Sequence, residues 1–297
     1  MTASFYLTIA VSGVLTGLVY GLAALGLSVI FGVMRVVNFA HGEMMVAGMY
    51  GAVILAEVAG LDPLVSALPV AATLFACGWL LQRGLINRFI GAPEHRQFLL
   101  LVGVAMMLVN LLLMIFGPDA RGATVSYAFD ALALKLPGLE PLLIDRVRIH
   151  AAAAAVTAAA ALYLFFRFSR VGKAIRAAAD DQLGARVVGL NLDGLYALTF
   201  ALGAAVVGAA GCLMALIVDP RPALAPEYTL LGFIVVIVGG LGSAPGALLG
   251  GVLIGASEAL AGALLAPSMK SMFSYALLIV ILLARPQGLL GRRPDHG

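Results

Sequence analysis

Long apolar stretches that follow one another along the whole chain constrain its fold more than any other feature. They lie at about 5–33, 42–60, 64–82, 98–117, 149–167, 195–217, 228–240, 245–265 and 270–284. Most of them approach the ~20 residues that a helix needs to cross the hydrocarbon of a bilayer. Only 11% of the residues are charged, whereas soluble domains carry roughly a quarter. The sequence therefore predicts an all-α, polytopic transmembrane bundle of about eight to nine spans.

The continuous Leu, Ala, Val and Gly runs argue against a membrane barrel, whose strands alternate apolar and polar residues. The stretch at 228–240 is short for a span, so it and the next stretch form either two helices or one element broken around 239–246. Cys77 and Cys212 lie inside apolar stretches, which predicts small buried side chains rather than a disulfide or a metal site. We expect no metal site in this chain.

Basic residues set the expected orientation, because Lys and Arg favour the cytoplasmic side of a membrane protein. They predict an N-terminus outside, a C-terminus in the cytoplasm, an external loop at 118–147 and a cytoplasmic loop at 169–193. The basic groups are Arg83, Arg88 and Arg96, then Arg167, Arg170, Lys173, Arg176 and Arg186, and finally Arg285, Arg292 and Arg293. Leucines of the external loop either lie on the membrane surface or cover the external mouth, namely Leu132, Leu134, Leu136 and Leu139.

A group of polar residues interrupts the apolar pattern between the first two stretches. In V-N-F-A-H-G-E-M-M-V-A-G-M-Y-G, which begins at Val37, an amide, an imidazole and a carboxylate occur at Asn38, His41 and Glu43. Each is costly in hydrocarbon, so we expect all three to face protein or water. A related pattern returns at 243–255, and the aligned pairs are Ala40 with Ala244, Gly42 with Gly246, Ala47 with Gly251, and Gly51 with Gly255. Two broken segments built alike predict a pseudo-repeat and a transport path between two halves of one domain.

The residues around these two breaks are the candidates for a substrate path. Glu258 joins them, because a carboxylate within an apolar helix is by default a functional hypothesis. For Asn38, His41 and Glu43 the sequence leaves two interpretations open, contact with substrate or satisfaction of the unpaired backbone at a helix break. The full set of candidates is Asn38, His41, Gly42, Glu43, Gly240, Gly242, Ser243, Gly246 and Glu258.

Glycines spaced four residues apart predict close helix packing in two places. Gly13, Gly17 and Gly21 form a stripe in the first stretch, and a second stripe at 242, 246 and 250 repeats the spacing. Such stripes let helix backbones approach closely, so that dispersion holds the helices together. We expect helix packing, rather than direct contact with substrate, at Gly13, Gly17, Gly21, Gly250 and Gly255.

The charged, helix-favouring stretch from Ser169 to Asn191 does not have the character of a span. A short amphipathic helix there suits docking into a groove on a cytoplasmic partner, and a solvated loop is the alternative. The chain lacks a phosphate-binding P-loop, because Gly172-Lys173 is followed by Ala. It also offers no nucleophile–base–orienter set, so we expect no catalytic residues and no enzyme activity.

Four sequence motifs together resemble one known family. They are V-V-N-F-A-H-G-E from Val36, R-A-A-A-D-D-Q-L-G-A-R-V-V-G-L-N from Arg176, V-V-I-V-G-G-L-G-S-A-P-G-A-L-L-G-G from Val235, and A-R-P-Q-G-L-L-G from Ala284. In this order they resemble the LivH/LivM-type permeases, the membrane subunits of branched-chain amino-acid ABC importers, and the likeness is closer to the LivH branch. The resemblance implies that residues 1–297 are a single permease domain in a bacterial inner membrane.

The resemblance also implies a set of partners and a division of labour. A periplasmic amino-acid-binding protein would deliver the cargo, and this chain would form the path together with a homologous second permease of the LivM type. Two cytoplasmic ATPase subunits would bind ATP, so this chain needs no cofactor of its own, and no nucleic acid is involved. The coupling element that contacts the ATPases would comprise Lys173, Arg176, Ala177, Asp180, Asp181, Gly184, Arg186 and Gly189.

The cargo predicted in this way is a branched-chain or other hydrophobic amino acid. Two alternatives remain open at this stage. A member of the same family could carry urea or amides instead. A transporter or channel of a different class would work alone, with Glu43 and Glu258 as its proton or ion sites.

Overall fold

In the computed structural model, residues 3–123, 125–135, 137 and 140–291 are described, and most of them are helical. Eight helices are long and apolar enough to cross a membrane, and one further apolar helix, Leu224–Gly239, is shorter. The prediction of an all-α polytopic bundle is therefore confirmed. The helices are α1 Ala3–Met34, α2 His41–Ala59, α3 Pro63–Gly84, α4 Glu94–Phe116, α5 Arg146–Phe168, α6 Arg170–Asp180, α7 Gln182–Val187, α8 Leu192–Ala215, α9 Leu224–Gly239, α10 Ala244–Leu264 and α11 Lys270–Ala284.

Short 3-10 helices at Ile86–Phe89 and Pro267–Met269 precede α4 and α11. Two short strands, β1 Ala131–Leu134 and β2 Leu142–Asp145, pair antiparallel within the loop between α4 and α5. This hairpin was not predicted from the sequence, because its strands are brief and lie outside the apolar stretches.

Several helices begin where the sequence supplies a side chain that caps their free N–H groups. Asp62 accepts from Leu64 N at 2.8 Å, with Pro63 in the first position of α3. Asn191 caps α8 in the same manner through Gly194 N. Ser243 caps α10 through Gly246 N at 3.1 Å. These local signals explain why the predicted stretches and the observed helices nearly coincide.

The first glycine stripe lies where α1 and α10 cross the bundle side by side. A Cβ added at Gly17 would lie 2.5 Å from the Gly251 carbonyl oxygen, and one at Gly13 would lie 2.7 Å from that of Gly255. Any side chain larger than hydrogen at these positions would separate the two backbones. The pairing runs antiparallel, since Gly21 meets Leu248 at the other end of the contact.

The second stripe does not continue this contact. Gly246 and Gly250 pack against Gly239 and the Val235 carbonyl of α9. Since residues later in α10 meet residues earlier in α9, the two helices run side by side as an antiparallel hairpin. The two stretches are therefore two separate helices, and the alternative of one element broken around 239–246 is wrong.

The segment after α11 returns to the end of α9. Leu289 N donates to the Val238 carbonyl and Leu290 N to the Gly239 carbonyl, both at 2.9 Å. Helix ends leave their last carbonyl groups without partners inside the helix, so this segment satisfies two of them. Gly288 makes the turn with a φ of 78°. Arg292 and Arg293, which contributed to the expected orientation, lie outside the described residues.

The loop between α4 and α5 packs onto neighbouring helix ends. Tyr127 donates to Asp62 Oδ2 at 2.7 Å, and Arg121 N donates to the Pro220 carbonyl at 3.1 Å. Burial, followed by the hydrogen bond and the charge of Asp62, raises the pKa of the Tyr127 phenol. Tyr127 therefore stays protonated and keeps donating. These contacts hold the loop against the chain just before α3 and α9. Leu136 and Leu139 lie outside the described residues.

The two cysteines differ in exposure. Cys212 is buried, and its thiol donates to the Gly48 carbonyl at 3.4 Å. Cys77 is exposed on the outer side of α3, so the prediction that it is buried is wrong. An apolar stretch shows that a residue lies in a span but not which face of the span it occupies.

The contact between α1 and α10 generates a testable prediction. The substitution Gly17→Val forces a side chain against the Gly251 carbonyl, and overpacking of this kind costs about 1–3 kcal/mol or more. We expect a lower melting temperature in detergent and a smaller yield of monodisperse protein. Gly103→Val is the matched control, since no heavy atom lies within 4 Å of a Cβ at that position of α4. Equal melting temperatures for the two variants would contradict the assigned packing.

Candidate translocation site

The chain between α1 and α2 turns sharply inside the bundle. Arg35 has a φ of 54°, a value that residues other than glycine rarely adopt. Asn38 is fully buried, and its Oδ1 accepts a hydrogen bond from Ala40 N at 3.1 Å. Its Nδ2 lies 3.8 Å from the Met44 sulfur. The contacts of Asn38 are therefore with the break between α1 and α2. Of the two interpretations that the sequence leaves open, these contacts agree with satisfaction of the unpaired backbone rather than contact with substrate.

His41 begins α2 and is fully buried. Neither of its ring nitrogens has a hydrogen-bond partner among the described residues. Gly232 of α9 leaves room for the ring, because a Cβ there would lie 2.9 Å from His41 Cδ2. Buried polar atoms in proteins nearly always have a partner, so an unpartnered imidazole in this position is suited to bind a group that is absent from the chain.

Glu43 and Gly42 are tied to α9 through one hydroxyl group. Thr229 Oγ1 accepts from Gly42 N at 2.8 Å and lies 3.1 Å from Glu43 Oε2, to which it donates. A Cβ at Gly42 would overlap the Ala225 carbonyl and the Thr229 backbone, so only glycine permits this approach. The sequence analysis missed Thr229, although a lone hydroxyl near the start of an apolar stretch was a signal that was available.

Aromatic rings lie next to this polar group. Phe39 contacts Phe98 of α4 edge-on, with ring centroids 4.7 Å apart, and Phe233 of α9 at 5.2 Å. An apolar surface therefore adjoins the polar side chains at the start of α2. We call Asn38, His41, Glu43 and Thr229 the α2 cluster.

The second break, between α9 and α10, holds four of the other candidates. Gly240 and Gly242 have φ values of 109° and 76°, which favour glycine. Ser243 caps α10, and Gly246 packs against Gly239. The contacts of these four residues build the turn itself.

Both breaks lie toward the C-terminal end of α1. Gly242 is near Gly32, and Gly232, which packs on His41, is also near Leu27. The sequence-based alignment of the two breaks thus corresponds to two turns at the same end of α1.

Glu258 lies apart from these residues, near the other end of α10. Its Oε1 accepts from the Ser274 hydroxyl of α11 at 2.7 Å. The structure therefore brings Asn38, His41, Gly42 and Glu43 together but does not add Glu258 to them.

The residues expected to couple to an ATPase occupy α6, α7 and the turns beside them. Gly172, Ile175 and Ala178 form the buried face of α6. The opposite face is exposed and includes Lys173, Arg176, Ala177 and Asp180. Asp181 caps α7 by accepting from Leu183 N and Gly184 N, Arg186 is exposed, and Gly189 ends the segment with a φ of 84°.

Three large apolar side chains are also exposed, two on α7 and one directly after it, and this exposure was not predicted from the sequence. Leu183, Val187 and Val188 are 74%, 80% and 75% exposed. Apolar side chains grouped in this way on a segment outside the spans indicate a surface that contacts another protein.

Comparison with known proteins places the chain among membrane permeases. A family model described as "Branched-chain amino acid transport system / permease component" matches residues 9–282. The high-affinity branched-chain amino acid transport system permease protein LivH of Salmonella typhimurium is 32% identical over 292 residues, covering 95% of this chain and 94% of LivH. The corresponding permease protein BraD of Pseudomonas aeruginosa is 30% identical over 304 residues, covering 97% and 96%.

Among solved structures, PsaBC from Streptococcus pneumoniae in complex with Fab matches with a TM-score of 0.47 and 13% identity, covering 93% of this chain and 91% of that one. The family model and the sequence relatives both extend over nearly the whole chain. The chain therefore belongs to the family of permease components of branched-chain amino acid transport systems.

Proposed function

We propose that this chain is the membrane permease subunit of an ATP-driven importer whose cargo is a branched-chain or other hydrophobic amino acid. Membership of the permease family and the names of LivH and BraD support the cargo. The observation that carries the proposal is the α2 cluster, in which a buried, unpartnered His41 lies beside a carboxylate at the start of a span. Such a group is expensive in a membrane unless it serves a path.

The α2 cluster has the chemistry to hold both charged ends of an amino acid. The N-terminus of a helix favours a carboxylate group, and broken helices in transporters use this property. His41 adds a donor at the same end of α2, and Glu43 offers a carboxylate to the ammonium group. Phe39 and its aromatic neighbours offer an apolar surface to the side chain. The cluster offers the amino acid only a few contacts, so the amino acid binds weakly and can be released.

The partners follow from the division of labour in such importers. Two cytoplasmic ATPases supply the energy, and the exposed surface of α6 and α7 is the part of this chain that contacts them. A homologous second permease completes the path, and a periplasmic binding protein delivers the cargo. The chain then spans the inner membrane as one permease domain, with its N-terminus outside. The exposed apolar residues of α7 support the docking surface, because water does not favour three such side chains on one short segment.

Removal of the Thr229 hydroxyl tests the α2 cluster. Thr229→Val removes the acceptor of Gly42 N and the hydroxyl that donates to Glu43. Losing a hydrogen bond to a charged group costs about 1.5–3 kcal/mol, so we expect ATP-dependent leucine uptake to fall ~10-fold or more. Thr229→Ser keeps the hydroxyl and should retain most of the uptake. The measurement is radiolabelled leucine accumulation in proteoliposomes that contain the complete transporter.

Thr157→Val is the matched control, since the Thr157 hydroxyl bonds only to the Ala153 carbonyl of its own helix. Wild-type uptake by Thr229→Val would show that the α2 cluster is not on the path. If the wild-type transporter, assembled with its ATPases and binding protein, accumulated no leucine or other hydrophobic amino acid, the proposed function itself would be wrong.

A charged side chain on α7 tests the docking surface. Leu183→Glu or Val187→Glu places a charge where an apolar contact is proposed, so we expect the ATPases to be lost when the permease is purified in mild detergent. Leu143→Glu is the matched control, because Leu143 is 59% exposed but lies before α5, at the end opposite to α6. Equal recovery of the ATPases with all three variants would remove α7 from the docking surface.

A further inference from the structure

Glu258 lies where three helices bring polar groups to one carboxylate. Ser274 of α11 donates to its Oε1 at 2.7 Å, and the Tyr20 hydroxyl of α1 interacts with the same carboxylate. Tyr228 of α9 is also within electrostatic reach. None of the ion pairs between described residues includes Glu258. A carboxylate in a span that is surrounded by hydroxyl groups, with no cation in contact, is a candidate binding group for a positive charge.

A guanidinium group lies on the same side of α1. Arg148, in the first turn of α5, donates from Nη1 to Thr16 Oγ1 at 3.1 Å and from Nε to Asp145 at 2.9 Å. Its side chain is 31% exposed. Arg148 is thus held in place by the Thr16 hydroxyl and by an ion pair with Asp145, while its side chain stays partly exposed.

The spacing of these groups follows from α1. Thr16 and Tyr20 are four residues apart, so they share one face of the helix and are separated by ~6 Å along its axis. The Tyr20 hydroxyl interacts electrostatically with both Glu258 and Arg148. Two opposite charges therefore flank one turn of α1 without pairing with each other. Lys270, the first residue of α11, packs over Gly262 and is the positive charge that acts on Glu258.

We propose that Glu258 and Arg148 form a binding subsite for the zwitterionic backbone of an amino acid, distinct from the α2 cluster. Glu258 with Tyr20 and Ser274 receives the ammonium group, and Arg148 on Thr16 receives the carboxylate. The two charges of an α-amino acid are a few ångströms apart, which suits groups separated by about one helical turn. The inference rests on the proposed function and identifies which part of the cargo this site recognises.

The position of the subsite indicates when it acts. Arg148 lies directly after the loop that covers the ends of neighbouring helices, and Glu258 lies near the end of α10 that is remote from the second break. With the orientation proposed above, the subsite lies toward the outer side of the membrane, where the cargo arrives after delivery. Neutral molecules such as amides lack one or both charges, so the subsite selects zwitterions over them.

A photoreactive cargo tests the subsite in the intact, reconstituted transporter. The probe is a leucine analogue with a diazirine in its side chain, which is illuminated in the presence of the complete complex and mapped by mass spectrometry. We expect adducts on α1, α10 or α11 near Tyr20, Glu258 or Ser274. Glu258→Gln and Arg148→Gln each remove one charge, so we expect labelling of these peptides to fall about tenfold.

Two matched controls keep the result specific. Ser257→Ala removes a hydroxyl beside Glu258 that bonds only to the Ile254 carbonyl, and Arg146→Gln removes a guanidinium that pairs with Asp130 on the surface. Both should label as the wild type does. If Glu258→Gln fails to assemble, Arg148→Gln provides the same test, since Arg148 lies at a helix end.

Unchanged labelling in the assembled variants, or an absence of adducts from all three helices, would overturn the subsite. The leucine uptake of the wild-type transporter is measured in parallel. Normal uptake combined with either of these labelling results would reject the subsite while leaving the proposed function standing. Absence of uptake by the wild type would reject the function instead.

Discussion

The direct approach of the α1 and α10 backbones is the contact on which the rest of the bundle depends. Gly17 and Gly251 meet so closely that a Cβ between them would lie 2.5 Å from a carbonyl oxygen. In a membrane the hydrophobic effect does not drive helices together, so dispersion across such a close contact has to do so. Helix α1 also contacts α5, α8 and α9. Its position relative to α10 therefore fixes where the two breaks, the α2 cluster and Glu258 lie.

A second constraint is that backbone and side-chain polar groups inside the membrane need partners. The chain meets this need with short-range caps at some helix ends and with distant partners at others. Thr229 joins α9 to the start of α2, and the segment at Leu289 and Leu290 satisfies the end of α9. Among the described residues, His41 is one of five that have a buried polar atom without a hydrogen-bond partner, and both of its ring nitrogens lack one. His41 is central to the proposed path because it lies at the start of α2, beside Glu43.

The sequence predicted the spans well and the contacts between them less well. The cluster of Asn38, His41 and Glu43 was recognised because polar residues are rare in such a context, and the structure places them together. Thr229 was missed because its three hydrogen-bond contacts join residues more than 180 positions apart. Cys77 was assigned to the interior, but hydrophobicity does not reveal which side of a span faces outward when every side is apolar.

The sequence by itself determined where the spans lie to within a few residues, since this depends on the length of apolar runs and on caps such as Asp62 and Ser243 that act within a few residues. Tertiary structure alone decided which glycines meet. Gly251 and Gly255 face α1, whereas Gly246 and Gly250 of the equally spaced second stripe face α9. Identical spacing cannot distinguish these partners, because the choice depends on the rotation and register of whole helices against one another.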